Sequence, residues 1–305
     1  MKGGTALVGS LLRAMRPRQW AKNGIIYFAL VFSINQRWEF SMWREGLELF
    51  AVATAAFLLW CLVSSATYLV NDLLDAPRDR LHPRKRHRPI AAGLLSTRTA
   101  TTAAAVMFAA GLTLSFLLQP WFGVTVLIYL ALTLVYSLLL KRVPVADILA
   151  LSSVYVLRAV AGAVVIQVPI SPWLYVVTGL GAMMIVLGKR RGELASAAMG
   201  EARQQRAVLG SYSLRAIGPA INVCAAGVLA AYVAYTLTAA GLPGNMAMAL
   251  TLPFAAFGLY RYLRLLHRDG ASGETPEEMF LSDRPLQAAA VLGLATVLTV
   301  LSMGR

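Results

Sequence analysis

Long apolar runs, separated by polar segments, follow one another along almost the whole chain. A helix needs ~20 mostly apolar residues to cross a bilayer. We therefore predict an all-α, polytopic membrane protein with nine transmembrane helices around a central cavity. The first and sixth runs are short, and we expect their helices to extend into the polar flanks. The runs are residues 24–36, 47–70, 99–118, 121–140, 145–168, 172–188, 216–240, 246–266 and 285–302.

The amino-acid composition narrows the class of protein. Hydrophobic residues make up 58% of the 305 positions and charged residues only 14%, whereas roughly a quarter of the residues in soluble domains are charged. This excludes a soluble globular enzyme, a disordered chain and a disulfide scaffold. We expect residues 1–305 to form a single transmembrane domain. Its two longest polar segments, 71–98 and 189–215, are predicted to be active-site loops.

The distribution of charge sets the expected orientation. The chain has 28 Lys and Arg residues against 14 Asp and Glu, a net charge of +14. A cytoplasmic N-terminus places 24 of the 28 bases on the cytoplasmic side, counting Arg261 and Arg264 near the cytoplasmic end of the eighth run, in keeping with the positive-inside rule. We therefore predict that the N-terminus and both long polar segments are cytoplasmic. Because the charges lie between apolar runs, they indicate membrane topology and anionic ligands, and we expect no nucleic-acid partner.

The acidic segment, residues 71–79, follows the second apolar run and reads Asn-Asp-Leu-Leu-Asp-Ala-Pro-Arg-Asp. If the helix continues into it, Asn71 and Asp75 lie one turn apart on one face. Pro77 disfavours helix at the residue before it, so we expect Asp79 where the chain bends back. Oxygen ligands at this spacing suit Mg²⁺, which binds through a few carboxylates plus substrate phosphates. The alternative is a helix-capping cluster on a solvated face.

Basic residues come directly after the acidic segment, within residues 80–93. Guanidinium and ammonium groups bind phosphate oxygens, and Lys85 and Arg88 are our candidates for that role. The alternative for this run is a charge anchor on anionic lipid.

Further candidate ligands lie at or inside other apolar runs. Arg158 lies well within a predicted span, where a charge is costly and indicates either a functional site or a structural pair with another helix. Lys22 and Asn23 precede the first run and serve either as ligand contacts or as topology signals. The full set of candidate substrate-binding residues is Lys22, Asn23, Lys85, Arg88, Lys141, Asp147, Arg158, Lys189 and Arg190.

The acidic segment also resembles a motif of a known family. Its Asn-Asp-x-x-Asp-x-x-x-Asp pattern, after the second of nine predicted helices, is similar to that of the UbiA-type superfamily of intramembrane prenyltransferases. In that superfamily the motif holds Mg²⁺ and a substrate diphosphate. The resemblance implies that Asn71 and Asp75 are metal ligands and that Asp72, Asp75 and Asp79 form the catalytic diphosphate site.

The chain departs from that superfamily after the sixth predicted helix. Typical members carry a second acidic motif there, whereas this chain has Lys-Arg-Arg-Gly-Glu at residues 189–193. The difference implies direct phosphate binding by Lys189 and Arg190. The chain is also similar to a branch of the superfamily that transfers a phosphoribosyl group to a polyprenyl phosphate. The stretches that carry this likeness are residues 16–23, 79–89, 157–159 and 189–190.

The likeness to that branch implies a phosphoribosyltransferase. The expected reaction moves 5-phosphoribosyl from phosphoribosyl pyrophosphate to decaprenyl or another polyprenyl phosphate, releases pyrophosphate, and supplies a precursor for cell-wall arabinan. The expected setting is a bacterial plasma membrane with the active site facing the cytoplasm, and homo-oligomer formation stays open. The alternatives are a conventional prenyltransferase, with a prenyl diphosphate and an aromatic or lipid acceptor, and a transporter of phosphorylated lipids.

Overall fold

Helices form all the regular secondary structure in the described part of the chain. The computed structural model describes residues 2–83, 85–169, 171–198, 210–239, 242–243, 246–267 and 276–303. Its α-helices are α1 (Lys2–Met15), α2 (Phe28–Phe32), α3 (Trp43–Asp79), α4 (Thr97–Leu118), α5 (Pro120–Leu138), α6 (Ala146–Val165), α7 (Pro172–Ala198), α8 (Leu214–Thr238), α9 (Leu252–Leu266), α10 (Pro276–Ser282) and α11 (Arg284–Ser302). Short 3₁₀ helices cover Pro17–Tyr27, Phe40–Met42, Lys85–His87, Leu140–Arg142 and Ala247–Thr251.

Seven of the described helices, α3 to α8 and α11, are long and apolar enough to cross a bilayer. The chain is therefore a multi-pass helical membrane protein, and these seven helices match seven of the predicted runs. The first predicted run is divided between the 3₁₀ helix Pro17–Tyr27 and the five-residue α2. The eighth is divided between the 3₁₀ helix Ala247–Thr251 and the 15-residue α9. The number of nine spans stays a prediction.

Both long polar segments begin as helix, which corrects the expected boundaries. Helix α3 continues to Asp79 and α7 to Ala198. Asp79 was expected in a bend, and this was wrong: it lies in the last turn of α3, although Pro77 lies in the same turn. A proline near a helix end removes only its own backbone donor, and the turn beyond it still closes through the Arg80 N–H to the Ala76 carbonyl at 3.2 Å.

Polar side chains fix where several of the helices begin. Ser96, Gln119, Ser213 and Asp283 each accept a hydrogen bond from a backbone N–H in the first turn of the helix that follows. Such caps satisfy donors that have no partner inside the helix, and each is worth ~1 kcal/mol. The capped helices are α4, α5, α8 and α11, so their starting positions are set locally by the sequence.

Helix α3 lies inside the bundle, where it packs against α1, α4, α5, α6 and the 3₁₀ helix Pro17–Tyr27. Its fully buried Trp60 contacts the rings of Phe122 and Tyr129 on α5, with ring centroids 6.2 and 5.0 Å apart. This apolar layer also includes Ile26 and Ala161. It holds the polar end of α3 in a fixed position relative to its neighbours.

The closest backbone approach joins α6 to the 3₁₀ helix Pro17–Tyr27. A Cβ built on Gly162 would lie 2.1 Å from the carbonyl oxygen of Ile26, so only glycine fits there. Arg158 lies one turn before Gly162, and Asn23 lies one turn before Ile26. The close approach therefore brings these two polar residues together.

Substituting Gly162 tests this packing. We expect Gly162→Ala to lower the free energy of unfolding by ~1–3 kcal/mol, because the added methyl group has to displace backbone. The matched control is Gly181→Ala on α7, where the nearest atom to the new Cβ is Val228 Cγ2 at 4.0 Å. The measurement is the melting temperature of each variant in detergent. Equal melting temperatures for the two variants would contradict the close approach.

Candidate active site

Two carboxylates at the end of α3 share one arginine. Arg88 Nη1 donates to Asp72 Oδ1 at 3.1 Å and to Asp79 Oδ2 at 2.7 Å. Both carboxylates are buried, whereas Arg88 is partly exposed. The structure thus brings together three of the predicted site residues and places the basic segment against the acidic one.

A second arginine, which the sequence analysis did not select, reaches the same carboxylate. Arg16 Nη2 donates to Asp72 Oδ1 at 2.5 Å, and its guanidinium lies 5.1 Å from the ring centroid of Tyr68. Arg16 has φ 56° and ψ 60°, the left-handed conformation, which costs a residue other than glycine ~1–2 kcal/mol. One feature of the sequence could have drawn attention to Arg16. It precedes Pro17, and a residue before proline disfavours the helical conformation, so a helix is expected to end there.

Asn71 and Asp75, the predicted metal ligands, lie one turn apart on α3 and are half-buried. Ser137 Oγ on α5 donates to Asn71 Oδ1 at 3.4 Å. Among the described residues, no three His, Cys, Asp or Glu side chains are grouped closely enough to hold a metal ion. The side-chain oxygens of Asn71 and Asp75 are hard donors of the kind Mg²⁺ prefers, and such an ion can bind through one or two protein oxygens when substrate phosphates complete its coordination.

Arg158 is buried inside the bundle and is held by polar contacts. Its Nε donates to Asn23 Oδ1 at 2.8 Å and its Nη1 to the Val154 carbonyl at 2.8 Å. Its guanidinium also lies 5.9 and 5.2 Å from the ring centroids of Tyr129 and Tyr155. This arrangement fixes the charge at one place, which a charge in an apolar span requires.

Lys22 lies close to several other cations. Burial, followed by the charges of Lys189, Arg158 and Arg16, lowers the pKa of Lys22 to about 7. We call these four residues the cation cluster. A group of like charges that depresses the pKa of one member gains free energy when an anion binds among them, so the cation cluster is suited to phosphate.

Asp147 and Arg190 form a different kind of pair, since neither has any exposed surface. Arg190 Nε donates to Asp147 Oδ2 at 2.8 Å, and Nη1 donates to Glu193 Oε2 at 2.5 Å. Tyr212 donates its hydroxyl to Asp147, and burial together with this hydrogen bond raises the pKa of Tyr212 to about 12. Both residues were predicted to bind substrate, but in this structure their charged groups are enclosed. They tie α6 to α7 and to the segment before α8.

The other predicted contacts lie at exposed or half-buried positions. Lys189 is exposed on α7 and belongs to the cation cluster. Lys85 is exposed in the 3₁₀ helix Lys85–His87, and Lys141 is half-buried in the 3₁₀ helix Leu140–Arg142. Substrate binding by Lys85 and Lys141 stays a prediction.

The chain is similar to known proteins over most of its length. The model of the UbiA prenyltransferase family matches residues 27–283. A protein of Mycobacterium tuberculosis named decaprenyl-phosphate phosphoribosyltransferase is 33% identical over 298 residues, covering 98% of this chain and 96% of the relative. A protein of the same name from Corynebacterium glutamicum is 33% identical over 307 residues, covering 96% and 86%.

A solved structure shares the fold. It is a UbiA homolog from Archaeoglobus fulgidus bound to GPP and Mg²⁺, with a TM-score of 0.70 and 18% identity, covering 96% of this chain and 99% of that one. The helices and the polar end of α3 thus define an intramembrane protein with an acidic segment facing a cation cluster. The chain belongs to the UbiA prenyltransferase family.

The buried pair predicts a large effect on stability. We expect Arg190→Met to lower the free energy of unfolding by ~3–5 kcal/mol, because it leaves the Asp147 carboxylate buried without its cation. The control is Arg37→Met, which breaks the more exposed pair between Arg37 and Glu45 and should cost ~0–1 kcal/mol. The measurement is the melting temperature of each variant in detergent.

A second substitution distinguishes lost charge pairing from lost packing. Adding Asp147→Asn to Arg190→Met removes the unpaired charge, so the double variant should melt above the single variant. A double variant that melts lower would mean that the two residues act independently.

Proposed function

We propose that this protein transfers a 5-phosphoribosyl group from phosphoribosyl pyrophosphate to decaprenyl or another polyprenyl phosphate. An oxygen of the lipid phosphate forms a bond to C1 of the ribose while the bond from C1 to pyrophosphate breaks. The bonding electrons leave with pyrophosphate. Because the acceptor phosphate is already an anion, no side chain has to remove a proton. Attack opposite the leaving group gives inversion at C1.

The cation cluster is the observation that carries this proposal. A reaction between two phosphorylated substrates gathers negative charge from the ribose 5-phosphate, the lipid phosphate and the pyrophosphate. Arg158 is the buried member of the cluster, Lys22 is half-buried, and Lys189 is the exposed member, from the basic sequence at residues 189–193. The relatives named decaprenyl-phosphate phosphoribosyltransferase, similar over nearly their full length, support the same assignment.

The acidic segment has a complementary role at the pyrophosphate. Asn71 and Asp75 are the residues that would hold Mg²⁺, and Asp72 and Asp79 orient Arg88 toward the same end of α3. When bound, Mg²⁺ supplies Lewis-acid stabilisation of the negative charge on the leaving pyrophosphate. The enclosed pair of Asp147 and Arg190 joins α6 to α7 and so fixes the position of the helix that carries Lys189.

The proposed setting follows from the same chemistry. Phosphoribosyl pyrophosphate is water-soluble and made inside cells, so the site opens to the cytoplasm of a bacterial plasma membrane, with the N-terminus on that side. Residues 1–305 then form one domain, with 71–98 and 189–215 bordering the site. In this topology the apolar residues 24–36 and 246–266 complete nine membrane segments, and Lys22 lies before the first of them.

A transfer assay tests the proposal. Purified protein in detergent receives ribose-labelled phosphoribosyl pyrophosphate, polyprenyl phosphate and Mg²⁺, and label is measured in the organic phase. We expect label in the lipid, and its loss with EDTA. Asp75→Asn should reduce the rate by at least ~100-fold if it holds the metal, whereas Glu48→Gln, an exposed neutralisation at the far end of the same helix, should not. No labelled lipid, with turnover of a prenyl diphosphate and an aromatic acceptor, would refute the proposal.

The lowered pKa of Lys22 predicts a pH dependence. Without a bound anion, Lys22 loses its proton as the pH rises through about 7. We expect kcat/KM for phosphoribosyl pyrophosphate to fall roughly tenfold between pH 7 and 8.5, because only a few per cent of Lys22 then stays protonated. Lys22→Arg keeps its charge over this range, so its profile should be flat. Identical profiles for the two proteins would exclude Lys22 as the titrating group.

A further inference from the structure

The turn at Arg16 is anchored on both sides to α3. Trp20 Nε1 donates to Ser65 Oγ at 3.0 Å, and the single proton of that hydroxyl is shared between the Cys61 carbonyl at 2.7 Å and the Met15 carbonyl at 3.2 Å. Within the turn, the Arg16 N–H donates to the Arg13 carbonyl at 3.3 Å, and the Arg16 carbonyl accepts from the Gln19 N–H at 2.8 Å. These bonds hold Arg16 in its left-handed conformation. A strained backbone that its surroundings hold this firmly points to a function for the side chain.

The side chain of Arg16 is oriented but not enclosed. Asp72 and the ring of Tyr68 both contact the guanidinium, and both belong to α3. Yet 31% of the Arg16 side chain is exposed, against 3% for Asp72 and none for Arg190. The pair with Asp72 uses Nη2, while Nη1 and Nε carry three more N–H groups. Arg16 therefore presents donors beside the acidic segment, as the Arg190 pair does not.

Arg16 also lies near the cations. Its charge is among those that lower the pKa of Lys22, after those of Lys189 and Arg158. Arg16 is thus the member of the cation cluster that also contacts a carboxylate of α3. A planar guanidinium in such a place binds phosphate oxygens through two parallel hydrogen bonds, which an ammonium group does not do.

We propose that Arg16 is a phosphate-binding residue of this site, oriented by Asp72 and Tyr68. Its ligand is a phosphate group of either substrate. The identity of those substrates rests on the proposed function, but the binding of phosphate by Arg16 does not.

Anion binding without metal tests the proposal directly. The full-length protein in detergent with EDTA is titrated calorimetrically with inorganic pyrophosphate, ribose 5-phosphate and a short-chain polyprenyl phosphate. We expect Arg16→Gln to weaken binding of at least one of these about tenfold. Arg18→Gln, which removes an exposed charge two residues away, should change none of them by more than about twofold. If Arg16→Gln loses affinity only for the soluble anions, Arg16 binds the phosphoribosyl donor. If it loses affinity only for the polyprenyl phosphate, Arg16 binds the acceptor.

Asp72→Asn separates ligand binding from a merely structural pair. This variant keeps an amide oxygen that can accept the Arg16 hydrogen bond and so orient the guanidinium, but it removes a negative charge, so it should bind the anions at least as tightly as the wild-type protein. An equal loss of affinity in Arg16→Gln and Asp72→Asn would overturn the proposal, and so would unchanged affinity in Arg16→Gln.

Chemical labelling of the wild-type protein gives an answer that does not depend on a variant folding. Phenylglyoxal modifies accessible arginines, and tandem mass spectrometry distinguishes Arg16 from Arg18. Pyrophosphate should protect Arg16 and not Arg18, and equal labelling of Arg16 with and without pyrophosphate would refute the assignment. If no phosphoribosyl transfer occurs but pyrophosphate still protects Arg16, the proposed function fails and the role of Arg16 stands.

Discussion

Charge inside an apolar helical bundle is costly unless it meets a partner, and this constraint organises the polar end of the molecule. Arg158 can lie within a span because Asn23 and the Val154 carbonyl accept its hydrogen bonds. That contact requires α6 and the 3₁₀ helix Pro17–Tyr27 to approach closely, which Gly162 allows. The position of the cation cluster thus depends on a glycine one helical turn away.

The ion pairs at the polar end of the molecule differ in the solvent exposure of their arginine side chains. Arg190 is completely buried with Asp147, whereas Arg16 and Arg88 keep exposed surface while contacting buried carboxylates. An enclosed pair fixes helices relative to each other, and a partly exposed pair leaves donors at a surface. The three consecutive bases at residues 189–191 differ in the same way. Lys189 belongs to the cation cluster, Arg190 is enclosed with Asp147, and Arg191 donates to the Leu266 carbonyl at the end of α9.

The helical geometry of α7 explains why these consecutive bases have different surroundings. Successive helical residues project about 100° apart, so three consecutive bases on α7 reach three different surroundings. One of them contributes charge to the site, and the next stabilises the helix that carries it. The basic motif is therefore not a uniform phosphate clamp.

The sequence by itself determined the helical membrane class, seven of the spans and the position of the acidic segment after a span, because apolar runs and clustered carboxylates are local properties. It also selected Lys22, Asn23 and Arg158, since polar groups beside or within apolar runs are costly, and Arg88, since a guanidinium next to an acidic segment suits phosphate. The tertiary structure alone decided that Arg190 is enclosed with Asp147 and that Arg16 reaches Asp72. Those contacts join residues 43 and 56 positions apart, and no local pattern specifies which of several arginines meets a given carboxylate.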